Sequence, residues 1–73
     1  MTTKFYNAEE ARAALALGQV SHADIRDSSS AEHFRVACVE ARDALPQRDF
    51  TDAQLVYGQW LTLNIDALDC DWG

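Results

Sequence analysis

Residues 31–45 read AEHFRVACVEARDAL, and the spacing of apolar side chains in this stretch decides the fold class. Ala31, Phe34, Cys38, Ala41 and Leu45 recur at steps of three and four, which places them on one face of a helix. Ala37 and Ala44 widen that face, while Glu32, Arg35, Arg42 and Asp43 occupy the other sides. Pro46 closes the segment, because the residue before a proline resists the helical conformation. The pattern predicts a helix over 31–45. Ser29 and Glu32 have the spacing of a capping box at its start, and Ser30 is the competing cap.

Upstream, Asn7 is a favoured N-cap, with Glu10 in the capping-box position and Glu9 beside it near the positive end of a helix. Strong helix formers fill residues 8–17, and Gly18 is a natural stop. The apolar face of this helix, Ala8, Ala11, Ala14 and Leu15, is small enough to let another helix approach closely. Residues 2–6 read as an extended arm, with a short strand as the alternative. Ser21 and Asp24 announce a one-turn helix over about 22–27, which exists only if packed, since isolated helices of this length are unstable. The three serines 28–30 link it to the helix that follows.

Downstream, Thr51 and Gln54 form a T-x-x-Q box, and Phe50 is placed to staple onto Leu55. Ala53, Val56, Tyr57, Trp60, Leu61, Asn64, Ile65 and Leu68 then keep a helical period to about residue 67. Gly58 is a weak point of about 1 kcal/mol against Ala. From Leu68 the alternation Leu-Asp-Cys-Asp-Trp fits a short strand or an extended tail. The expected architecture is mainly α. It is a single compact domain over 1–73, with helices at about 8–17, 22–27, 31–45 and 52–67 and a short extended or β segment allowed at either end. The expected core is Leu15, Phe34, Cys38, Leu45, Leu55, Trp60 and Leu61.

The chain has 73 residues, of which 48% are apolar and 25% charged, too apolar for a disordered tail and too short for two self-supporting cores. No apolar run of signal-peptide length follows Lys4, and no stretch approaches the ~20 apolar residues of a membrane span. The expected location is the cytoplasm. Two cysteines, Cys38 and Cys70, are too few for a secreted disulfide scaffold, so two free thiols are expected, with a Cys38–Cys70 bridge as the alternative.

Catalytic and metal chemistry find little support. His22, His33, Cys38 and Cys70 lack the close pairing of zinc ligands, and the nearest two, His33 and Cys38, fall on different sides of a helix. Asp69 and Asp71 flank Cys70, and negative neighbours disfavour the thiolate that a nucleophile needs. Neither an enzyme nor a cofactor is expected, and no metal.

Charge carries the most information. Lys+Arg number 6 and Asp+Glu 12, a net charge of −6, which weighs against binding nucleic acid through its phosphates. Residues 1–48 hold seven acids and six bases; residues 49–73 hold Asp49, Asp52, Asp66, Asp69 and Asp71 and no base at all. Acid at a helix C-terminus opposes the macrodipole, so it is not there to stabilise the helix. Leu68, Cys70 and Trp72 sit among these acids, a mixture suited to a protein-binding patch. Asp49, Asp52, Asp66, Asp69, Asp71 and Trp72 are therefore the candidate partner-binding residues.

In size, charge and the base-free stretch 49–73 with its Asp66-Ala-Leu-Asp-Cys-Asp run, the chain resembles the small acidic inhibitors that phages and mobile elements encode against host defence, the anti-CRISPR proteins among them. The resemblance is one of class and rests on no shared motif. It implies a bacterial host cytoplasm and a partner that is a larger protein with a basic groove for nucleic acid, which the acids would occupy. The alternatives are a structural or adaptor subunit that homodimerises through Trp60, Leu63 and Trp72, and a helix-turn-helix regulator built on the first two helices.

Overall fold

The computed structural model describes residues 3–18 and 20–72. Three α-helices and one 3-10 turn follow in order: α1 (Ala8–Leu17), the turn His22–Asp24, α2 (Ser28–Asp43) and α3 (Asp52–Trp72). The protein is mainly α, as the apolar spacing requires. α2 is the middle helix and packs against both α1 and α3.

α1 forms where its local signals place it. The Glu10 amide donates to Asn7 Oδ1 at 2.9 Å, and Gly18 takes the left-handed conformation (φ 69°) as its amide caps the Leu15 carbonyl at 3.0 Å. Only Gly adopts that conformation without a Cβ penalty. The small face does allow close packing: Ala11 of α1 and Ala31 and Ala37 of α2 are buried with Leu15. Arg12 and Glu40 brace the α1–α2 pair from outside, Nε to Oε2 at 2.6 Å. Hydrogen bonding from Arg12 holds the Glu40 carboxyl below its usual range, and the same bond raises the Arg12 guanidinium.

Four boundaries depart from the sequence expectation. The one-turn helix expected over 22–27 is only the turn His22–Asp24, because Ile25 is drawn into a parallel bridge with Thr3 and Asp27 is taken as the cap of α2. α2 begins at Ser28, not Ala31, and neither Ser29 nor Ser30 caps it. Asp27 does, accepting from the Ser30 amide at 3.0 Å. The Ser30 amide and hydroxyl also hold the Asp27 carboxyl below its usual value. α2 ends at Asp43, two residues before the expected Leu45.

The fourth departure is the end of α3. No strand or tail begins at Leu68; the helix runs on to Trp72. Leu68 continues the buried series Leu61, Asn64, Ile65, so docking against α2 extends the helix through a stretch whose local pattern was ambiguous. At about 1.5 Å per residue the 21 residues of α3 span about 31 Å, in a molecule whose longest extent is 37 Å. Its start is as expected: Thr51 N–H donates to Gln54 Oε1 at 2.8 Å and Gln54 N–H to Thr51 Oγ1 at 3.1 Å. A Cβ at Gly58 would stand 3.2 Å from Leu45 Cδ1, so a side chain there requires Leu45 to shift by a few tenths of an ångström.

The arm docks more tightly than its sequence suggests. Phe5 is buried, stacked on Phe34 with ring centroids 5.9 Å apart, and its amide donates to the buried Ser30 Oγ at 2.9 Å. Of the expected core, Leu15, Phe34, Cys38 and Leu61 are buried, whereas Leu45 and Trp60 are only partly covered and Leu55 is exposed. Phe5, Ile25, Ile65 and Leu68 complete the core instead. Among the described residues, every buried side-chain polar atom has a hydrogen-bond partner.

Candidate functional site

The candidate residues lie on α3 and the turn before it, and the phase of α3 decides which of them share a surface. Its buried residues, Leu61, Asn64, Ile65 and Leu68, face inward. Opposite them, Asp52, Val56, Gln59, Leu63, Asp66 and Cys70 succeed one another at steps of four and three. At about 100° per residue these six fall within a strip roughly 80° wide. All six are exposed, and Val56 and Leu63 are 63% and 58% open to solvent.

Asp52 and Asp66 therefore share one face, about 21 Å apart along the axis. Asp69 does not join them. It turns toward α2, where its Oδ1 accepts from Arg35 Nε at 2.5 Å, both side chains about half exposed. This pair places a positive charge near the end of a helix whose last turn has no base of its own. Trp72 lies on the same flank and lines a cleft of about 510 Å3 with Ser28, Arg35, Leu68 and Asp69. Asp71 is exposed on the other flank, roughly 160° around the helix from Asp69. Asp49 is exposed in the α2–α3 turn and takes a left-handed conformation, φ 55°. The six candidates are thus not one patch: two share the outer strip, two border the α2 cleft, and two stand apart.

No protein-family model, curated protein or solved structure matches this chain. What the site can do must come from its own residues.

A second concave surface lies under the α2–α3 turn, about 460 Å3, lined by Leu45, Pro46, Phe50 and Leu55 with Arg42 at its edge. Phe50 and Leu55 both line it and remain 47% and 44% exposed. Among the described residues no group of three or more His, Cys, Asp or Glu side chains is placed to hold a metal ion. Both thiols are free; Cys38 is buried, which pushes its pKa up to about 11, so at neutral pH it is a protonated, apolar group rather than a nucleophile. Cys70 is exposed on the outer strip. No helix among the described residues is long and apolar enough to cross a membrane.

Sequence reasoning assigned Val56 to the core face and passed over Gln59. Leu63 entered only as a dimerisation candidate. The signal that could have found all three is the regular four–three spacing between Asp52 and Cys70, which is as helical as the core pattern but out of phase with it.

Proposed function

We propose that this protein is a non-catalytic, cytoplasmic interaction module that docks its acidic α3 surface on a basic surface of a larger protein. Where that surface serves to hold nucleic acid, docking competes with phosphate and inhibits, in the manner of the anti-CRISPR class. The observation that supports this reading is the outer strip of α3: two aspartates and two exposed aliphatic side chains on one face, within a segment of 25 residues that has no Lys or Arg. Aspartates steer the approach to a basic surface, and the aliphatic groups supply contact area once solvent leaves.

The alternatives fit less well. Trp60 is partly buried and stacked on Tyr57, and Trp72 lies on the α2 flank, so Trp60, Leu63 and Trp72 do not form one dimerisation face. The helix-turn-helix reading needs a second helix after Gly18, and only the three-residue turn His22–Asp24 stands there.

The test is affinity capture from a bacterial lysate at low and high salt, with Asp52→Lys/Asp66→Lys as the control bait. The expected result is a nucleic-acid-binding protein retained at low salt, released by added nucleic acid, and absent from the control. Equal capture by wild type and control would overturn the acidic-docking reading.

A further inference from the structure

The outer strip of α3 has more order than a generic acidic face. Its positions 52, 56, 59, 63, 66 and 70 advance by four, three, four, three and four residues, which is the a/d spacing of a coiled-coil seam. Within that register Val56, Leu63 and Cys70 occupy the a positions, and Asp52, Gln59 and Asp66 the d positions. The seam is about 27 Å long, all of it is exposed, and among the described residues no other helix covers it.

We infer that this seam is built to receive a single basic amphipathic helix of the partner, one that carries Lys or Arg fourteen residues apart opposite Asp52 and Asp66, with aliphatic residues between them against Val56 and Leu63. The inference rests on the acidic-docking reading and names the partner's chemistry. Charge complementarity selects this occupant. An apolar helix would bury two carboxylates without partners, which is costly. Lys or Arg side chains lay their aliphatic stems along Val56 and Leu63 while their charged ends reach the carboxylates, and an amide or hydroxyl opposite Gln59 completes the seam.

A second copy of this chain is excluded by the same arithmetic. Two seams in parallel register set Asp52 against Asp52 and Asp66 against Asp66. In antiparallel register each aspartate faces Val56, Leu63 or Cys70. Both arrangements bury uncompensated acid, and each copy brings a net charge of −6.

The experiment uses the full chain, isotope-labelled, with two synthetic peptides of identical composition. One is a three-heptad helix with Leu at a and Lys at d; the other has the same residues in shuffled order. The heptad peptide is expected to bind at least about tenfold more tightly than the shuffled one and to shift the amide resonances of residues 52–70 on the outer strip. Val56→Ala/Leu63→Ala is expected to weaken the heptad peptide at least about tenfold, the usual scale for losing buried apolar anchors, and to leave the shuffled peptide unchanged. Both side chains are exposed, so the double variant keeps its fold, which its own spectrum checks. Equal affinity of the two peptides overturns the helix inference and leaves the acidic-docking reading standing. Binding by neither at low salt overturns both. Shifts centred on the apolar cleft at Phe50, or sedimentation as a dimer that closes the seam, also overturn the inference.

Discussion

Asn64 is a fully buried polar residue on α3, and its replacement tests how the 3-10 turn is held. The His22 amide donates to Asn64 Oδ1 at 2.7 Å, while the Asn64 amide donates to the Trp60 carbonyl at 2.7 Å. The first of these bonds joins residues 42 positions apart and ties the turn to α3, and the turn in turn anchors the arm through the Asp24 carbonyl and the Thr3–Ile25 bridge. Asn64→Ala leaves the His22 N–H without its acceptor, which costs about 1–3 kcal/mol, and opens a void besides. A loss near 2 kcal/mol in a domain of this size lowers Tm by roughly 8–16 °C. Thermal denaturation reads the total, and hydrogen exchange at His22 and Ile25 reads the place. Asn64→Asp separates acceptor from donor. The carboxylate can still accept from His22 but cannot donate to Trp60, and burial penalises its charge. Its folded-state pKa is therefore raised, so its deficit is largest at neutral pH and shrinks as pH falls and the acid protonates. A midpoint for Asn64→Ala within about 0.5 kcal/mol of wild type, with His22 still protected, would refute this account of the turn.

Thr51→Ala removes the acceptor for the Gln54 amide and should lower the denaturation midpoint by about 1 kcal/mol, measured in guanidinium. Thiol labelling of the native protein at pH 8 should modify Cys70 and spare Cys38 until the chain unfolds; rapid labelling of both would remove Cys38 from the core. Asp27 and Glu40 both have depressed folded-state pKa values, so their contribution is fully present above the ordinary carboxylate range and is lost as pH falls through the folded-state values. Acid titration followed by circular dichroism should show stability declining below about pH 4, less steeply in Asp27→Asn/Glu40→Gln.

Much of the fold was legible because the signals that start and stop α1 and start α3 are local. Asn7, Gly18, Thr51 and Gln54 act within four residues of their own positions, and each does what its residue type suggests. The start of α2 lies upstream of both expected caps, Ser29 and Ser30, because four successive cap-competent residues, 27–30, leave the local pattern undecided. Asp27 takes the role while Ser30 is drawn inward to hold Phe5, a partner 25 residues away that no local pattern announces. The alternation Leu68, Cys70, Trp72 fits a strand, yet Leu68 and Trp72 are also one helical step of four apart. Burial of Leu68 settles the choice. The acidic character of the C-terminal third was plain, but its division among faces was not. That division depends on which side of α3 meets α2, and on the Arg35–Asp69 pair across 34 residues.

Residues 3–6 are, in effect, a stopper. Phe34 has no exposed surface because Phe5 lies over it, and Ser30 stays satisfied because the Phe5 amide reaches it. A chain shortened to begin at Asn7 would keep α1, α2 and α3 and nearly the same far-ultraviolet spectrum. It would nonetheless open the aromatic centre of the molecule to water and bind hydrophobic dyes as loosely packed states do. Helix content is thus a poor measure of integrity for this protein; the environment of the Phe5–Phe34 pair is the better one. Any change near the start of the chain that leaves the helices intact can still unseat the interior, because the plug belongs to none of them.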